Sequence, residues 1–308
     1  MTRISTSQAN LTTLNNLLRN QARLADAQNQ VATGKKSTTL KGLVRELGTL
    51  NAARAVSIRS QSTIDRIKEL EPKLAVQDTA LGQMTDAADK LRQSLIGSLG
   101  SDNGLIVMQD LTAAFDQLAT ALNQKYAGRS LFAGTRTDVE PFTAKTLDEV
   151  AAATTIADMF QNSDVRQVSR IDDGETVQTG ILASDIATDL IGVIKAVKDF
   201  NDGAGGPFAA NMDDAQRAFI QTQLVALSPI LDSMNQIQGQ NGLLQNKVET
   251  SRALEEDRQV LMTSLIGDLQ DADLAEAASR LQQAQTAVEA SARTFSILQN
   301  VSLLNFLR

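Results

Sequence analysis

Hydrophobic residues recur at seven-residue spacing near both ends of the chain. Ile4, Leu11 and Leu18 form one series, Leu17, Leu24 and Val31 a second, and Leu14 fills the face between them. Towards the other end Leu274, Leu281, Val288 and Phe295 repeat at the same interval, with Ala277, Ala284, Ala292 and Leu298 near the alternate positions. This repeat predicts helices that pack along a seam, as coiled coils do, and small Ala at the second seam position lets neighbouring helices approach closely. Periodicity alone equally admits an ordinary helical hairpin core. The apolar stripe continues through Val301, Leu304 and Phe306, where a chain is usually polar and loose, so it calls for a cover.

Between these segments helical spacing runs from Val44 to Leu99, where Pro72 is expected to kink the helix or divide it in two. Ser101 to Gly104 reads as a turn, and Leu105 to Tyr126 resumes the helix with Met108, Leu111, Phe115, Leu118 and Leu122 on one face. From Gly128 to Gly180 the chain is rich in Gly, Thr and β-branched residues, and Asp173-Gly174 offers a hairpin turn between short strands. Helical spacing returns from Asp185 to Phe200, breaks at the Gly- and Pro-bearing loop Asn201 to Phe208, and resumes from Asp213 to Leu269. Pro229 and the Gly239/Gly242 pair are expected to bend or interrupt that last stretch. The predicted class is mainly α: a long helical coiled-coil or bundle rod formed by N- and C-terminal segments, with a small β-rich insert in the middle.

Composition sharpens this picture. Aromatic residues make up 3% of the 308 residues against 42% hydrophobic overall, which favours aliphatic packing between helices over a core of large rings. No apolar run approaches the eighteen or so residues that span a bilayer, so no membrane insertion is expected. The opening MTRISTSQAN lacks the apolar stretch of a cleavable signal peptide. The chain has no Cys and no His, which excludes disulfides, zinc fingers, Cys/His nucleophile pairs and Ser-His-Asp triads.

The net charge of −7 argues against nucleic acid as a partner, but it is unevenly spread. Residues 1–68 hold eleven Lys/Arg against three Asp/Glu, or +8, and the remainder carries −15. A basic arm for nucleic acid would want aromatics to stack on bases, and residues 1–68 contain none. Basic early helices beside acidic later ones, within or between chains, is the simpler meaning.

Two stretches carry candidate chemistry. Ala32 to Thr38, ATGKKST, resembles a phosphate loop in outline, but Asn29 stands where that loop needs its first Gly, and Lys36 where it needs Ser or Thr. A helix-ending turn at Gly34 is expected instead. Asp271, Asp273 and Glu276 could form an acid group, yet DLAE reads as an Asp273 cap with Glu276 three residues on, opening the last helix. No convergent catalytic, metal or cofactor site emerges, and an enzyme is not expected.

The residues Arg3 to Lys36, RISTSQANLTTLNNLLRNQARLADAQNQVATGKK, resemble the opening of the bacterial flagellin family, where a heptad helix ends in a Ser/Thr-Gly-Lys/Leu turn. Ser264 to Leu307 is similar to that family's closing helix. Tyr126 to Phe142, YAGRSLFAGTRTDVEPF, resembles the [YF]-x-F-[AG]-G-[ST]-x-[TS]-D-x-x-PF pattern of the branch that stands between hook and filament. Ser37 to Glu46 departs from the family, whose members usually carry a paired-Asp segment there.

This resemblance implies a structural component of the bacterial flagellum, a motility organelle, joining hook to filament; a filament subunit is the alternative. A coiled-coil signalling or chaperone protein could share the heptads but not the FAGT element. The implied organisation is a terminal coiled-coil inner layer from residues 1–40 and 270–308, a helical rod from 41–128 and 185–269, and a small β-rich outward element at 129–184. The implied assembly interface is Ile4, Leu11, Leu14, Leu18, Leu24, Val31, Leu274, Leu281, Val288, Phe295, Leu298, Val301, Leu304 and Phe306. Those terminal helices would be disordered in the free subunit and pair when subunits stack. Implied partners are further copies in a helical ring, a neighbouring hook-associated protein, flagellin, and an export chaperone with the type III export apparatus. The implied location is extracellular, reached without a cleaved signal peptide.

Overall fold

The computed structural model of the chain describes the backbone of residues 2–37, 46–172 and 174–306, and side chains at 8, 10–37, 46–172 and 174–298. Most of the connector at 37–46 and Asp173 therefore lie outside the described residues. The elements are α1 (Thr2–Thr33), α2 (Leu47–Ser101), α3 (Val107–Leu122), β1 (Lys125–Tyr126), β2 (Arg129–Ser130), α4 (Leu147–Ala152), a 3-10 turn (Ile156–Met159), β3 (Val168–Arg170), β4 (Thr176–Gln178), α5 (Ala183–Asp202), α6 (Asp214–Gln270) and α7 (Leu274–Phe306). The fold is mainly α with two small two-stranded antiparallel sheets, β1-β2 and β3-β4. It divides into a terminal unit, residues 1–61 with 256–308, and a central unit, residues 62–255.

Neither proline divides its helix. Both α2 and α6 run unbroken through Pro72 and Pro229, and α6 also continues through Gly239 and Gly242. Proline inside a helix frees the carbonyl four residues earlier, and here Pro72, Pro229 and the corresponding Lys68 and Val225 are all exposed, so water satisfies the loss. Buried neighbours on the opposite face, Leu70 and Leu74 for one proline, Leu227 and Leu231 for the other, hold the backbone in helical form. Solvent exposure decides this outcome, and sequence spacing does not report it.

The central unit owns a continuous aliphatic core. Leu81, Met84, Leu91 and Leu95 of α2 meet Leu111, Phe115 and Leu118 of α3, Ile186, Leu190 and Ile194 of α5, and Ile220, Leu227 and Met234 of α6. Phe132, Phe142 and Val150 of the insert belong to the same cluster. Phe142 lies edge-on to Phe115 with ring centroids 6.2 Å apart, and 5.4 Å from Phe160. A second cluster joins Ile67, Leu70 and Leu74 of α2 and Val248 of α6 to Ile171 and Val177 of the β3-β4 hairpin.

Inside this unit α2 and α6 also share a buried polar contact. Gln77 Nε2 donates to Asn241 Oδ1 at 3.3 Å, and Asn241 Nδ2 donates to the Leu74 carbonyl at 3.3 Å and to Asp78 Oδ1 at 3.2 Å. Both amides are almost wholly buried.

The helix expected to reach Tyr126 stops at Leu122. Asn123 turns the chain and clasps Phe142 from both sides: its Nδ2 donates to the Phe142 carbonyl at 2.8 Å and its Oδ1 accepts from the Phe142 amide at 3.1 Å. The β1-β2 hairpin then reverses through Ala127 at φ 48° and Gly128 at φ 77°, the pair of left-handed residues that a tight two-residue turn needs. Phe132-Ala133-Gly134-Thr135 follows, with Phe132 O accepting from Ala183 N at 2.9 Å and Ala133 O from Ser163 N at 3.0 Å. Gly134 has φ 64°, and a Cβ there would stand 2.7 Å from the Val165 carbonyl and 2.9 Å from both Leu182 Cδ2 and the Ser163 carbonyl.

Gly134→Ala is expected to destabilise the protein by about 2–4 kcal/mol, from left-handed strain plus overpacking. In urea unfolding followed by circular dichroism, a midpoint equal to wild type would show that the insert has room the structure denies.

Candidate assembly surface

Within the terminal unit α1 and α7 run antiparallel, and the contacts between them explain which heptad positions face inwards. Asn20 Nδ2 donates to Ser291 Oγ at 2.7 Å and lies 3.4 Å from the Ala287 carbonyl. On the same face of α1 as Asn20 are Thr13, Leu17, Leu24 and Ala27, half-buried or buried. On the face of α7 that carries Ser291 are Ala277, Leu281, Ala284, Val288, Phe295 and Leu298, likewise covered at least in part. Small Ala27 and Ala277 are the buried members of the two faces.

The ends of this pair are pinned by Gly34, Lys35, Lys36, Asp271 and Asp273. Gly34, at φ 67°, terminates α1, and its amide returns to the Gln30 carbonyl at 2.9 Å. Lys35 Nζ binds Asp271 Oδ1 at 2.5 Å, Lys36 Nζ donates to the Asp268 carbonyl, and Lys36 N donates to the Gln270 carbonyl at 2.8 Å. Asp273 Oδ1 accepts from the amides of Ala275 and Glu276 at 2.8 and 3.2 Å, capping α7. Glu276 pairs with Arg280 at 2.6 Å. Gly34 thus ends α1 and Asp273 opens α7, with Lys35 and Lys36 tied to the turn between α6 and α7.

The anticipated interface residues separate into two sets. Leu24, Leu281, Val288, Phe295 and Leu298 lie towards the α1-α7 seam and are half-buried. Leu11, Leu14 and Leu18 lie on the opposite face of α1, and Leu11 is 59% and Leu18 53% exposed. Val31 and Leu274 are exposed near the ends of the pair, Leu274 at 57%. The side chains of Ile4, Val301, Leu304 and Phe306 lie outside the described residues. Ile297 on α7, 62% exposed and off the heptad series, is an apolar residue that the seven-residue count passed over. So are Ile58 of α2 and Val260 and Leu261 of α6, all in the same unit and exposed.

The unit therefore buries one apolar face and leaves a second one bare. A single exposed Leu is ordinary, but three adjacent ones on one helix mark a surface built to meet something. Among the described residues no helix is long and apolar enough to cross a membrane.

Comparison with known proteins agrees with the position of these helices. Residues 4–137 match the bacterial flagellin N-terminal helical region, and residues 225–307 the bacterial flagellin C-terminal helical region. Flagellar hook-associated protein 3 of Salmonella typhimurium is 23% identical, the match covering 99% of this chain and 100% of that protein. Flagellar hook-associated protein 3 of Escherichia coli is 24% identical over 271 residues, 82% of each chain. The fold is similar to that of Xanthomonas campestris FlgL (TM-score 0.56, 12% identity, 71% of this chain and 99% of that one) and Bacillus cereus FlgL (TM-score 0.54, 15% identity, 71% and 99%).

The two faces of α1 should respond differently to polar substitution. Leu24→Gln, which keeps helix propensity but removes a seam contact of about 1.5–3 kcal/mol, is expected to speed amide exchange in α1 and α7 at least tenfold. The double variant Leu11→Gln/Leu18→Gln should leave exchange in the isolated chain unchanged. Equal acceleration by both would place the outer leucines in an intrachain core.

Proposed function

Because the chain belongs to the bacterial flagellin family, we propose that it is a structural subunit of the bacterial flagellum that joins hook to filament. The observation that carries this reading is the end-to-end correspondence with flagellar hook-associated protein 3, covering 99% of this chain and 100% of that one. The FAGT-to-Phe142 element gives the correspondence a physical counterpart, since Gly134, Asn123 and Phe142 each perform a task in the core that few other residues could.

In this reading α1 and α7 form an inner layer, and the bare face of Leu11, Leu14 and Leu18 is covered by neighbouring chains of a helical ring. The +8 charge of residues 1–68 against −15 elsewhere supports basic-to-acidic contact between stacked subunits. The role is mechanical adaptation between two lattices, without catalysis. The neighbours would be a further hook-associated protein on one side and flagellin on the other. Export would proceed unfolded through the flagellar type III apparatus with its chaperone, to an extracellular position. A filament subunit is the second reading, favoured by the flagellin-like character of both terminal regions.

Seeding separates the two. Purified chain added to filament fragments should stay monomeric and assemble only on hook-associated partners; extension into long homopolymers would establish a filament subunit instead. Leu11→Gln/Leu18→Gln should reduce incorporation at the hook tip by at least a hundredfold, because about 1.5–3 kcal/mol is lost per side chain at every subunit. Undiminished incorporation would remove the outer face from the interface.

A further inference from the structure

The central unit holds a cavity of about 780 Å³ that the helix packing does not account for. It is lined by Glu69 and Lys73 of α2, Tyr126 and Arg129 of the β1-β2 hairpin, and Thr135 and Gln167. Lys73 is half-buried and Arg129 exposed, and among the described residues neither has an ion-pair partner. Other cations close by in sequence are satisfied: Lys125 pairs with Glu140 at 3.5 Å and Arg166 with Asp185 at 2.7 Å.

Lys73 is held where it is by neutral groups. Its ammonium donates to the side-chain carbonyl of Gln167, whose own amide donates to the Gly134 carbonyl at 2.6 Å, while the Gln167 backbone carbonyl accepts from Thr179 and Gly180, each at 2.9 Å. Burial lowers the Lys73 pKa from its ordinary value, and the neighbouring Arg129 charge lowers it further, as expected of like charges facing one cavity. Glu69, one helical turn before Lys73, is exposed and pairs with neither cation. The pocket therefore carries a net positive charge on a chain whose net charge is −7.

We propose that this pocket receives an Asp or Glu side chain from a neighbouring copy of this chain, its carboxylate bridging Lys73 and Arg129 with the Tyr126 ring beside it. The inference rests on the reading of the chain as an assembling subunit. A half-buried unpaired cation is costly, and a carboxylate between two cations relieves that cost through charge-assisted hydrogen bonds. The occupant's charge follows from complementarity: outside residues 1–68 this chain carries −15, so a neighbour of similar make-up presents acidic side chains in excess. The cleft is open to solvent and wide enough to admit a peptide side chain.

The test uses isolated flagella and the free monomer. A water-soluble carbodiimide, which joins an amine to a carboxylate it already touches, should link Lys73 to an Asp or Glu of another chain in assembled material and not in the monomer, as read by mass spectrometry. Lys73→Met and Arg129→Gln should each lower incorporation at least tenfold while the monomer melts no lower than wild type. Coupling of Lys73 only to Glu69 of its own chain, or Lys73 reactivity towards a soluble amine reagent that is unchanged by assembly, would overturn the proposal. So would normal incorporation of both variants. Absence of the wild-type chain from isolated flagella would overturn the functional reading and this inference with it.

Discussion

A helix with apolar side chains on two opposite faces cannot be satisfied by one partner. That constraint governs α1: α7 covers the side bearing Leu17, Leu24 and Ala27, and Leu11, Leu14 and Leu18 remain in water. In the central unit four helices and the insert close around Phe115, Phe132 and Phe142, while Val225, Leu243 and Leu254 of α6 stay exposed. The chain thus combines a part that completes its own core with a part whose second face is unfinished. In the proposed assembly, burial of that second face would link association to ordering of the layer.

The insert shows how an irregular segment can be well determined without much sheet. Its strands are two or three residues long, too short to be stable alone. Asn123, Phe142 and Gly134 fix its path: one clasps a backbone, one fills the core, and one passes where a side chain cannot. The β3-β4 hairpin is held by Ile171 and Val177 against α2 and α6.

Much of this was legible in the sequence because local chemistry determined it. Gly34, Asp273 and the heptads specify helix ends and faces through interactions a few residues long. What escaped depends on tertiary context. Pro72 and Pro229 leave their helices intact because they lie on solvent-facing sides, where tertiary packing of the opposite face outweighs the local preference to break. Tyr126 continues an apolar period yet enters a strand, since Asn123 is recruited by Phe142, nineteen residues on. The choice of seam was hidden too: Asn20 and Ser291 are polar, so the α1 face that pairs with α7 looks less apolar than the face left bare. The Lys73 and Arg129 pocket joins residues 56 positions apart and leaves no motif.

The buried amides of Gln77 and Asn241 have a mechanical meaning. An aliphatic seam offers nearly equivalent registers, and two long helices joined only by such a seam can creep past each other under sustained axial load. Sliding α2 along α6 by one turn, about 5.4 Å, would carry each amide beyond reach of its partners and leave buried polar groups dry at about 1–3 kcal/mol apiece. The contact thus acts as a register pin: displacing one helix along the other carries a polar cost that an aliphatic seam alone would not impose.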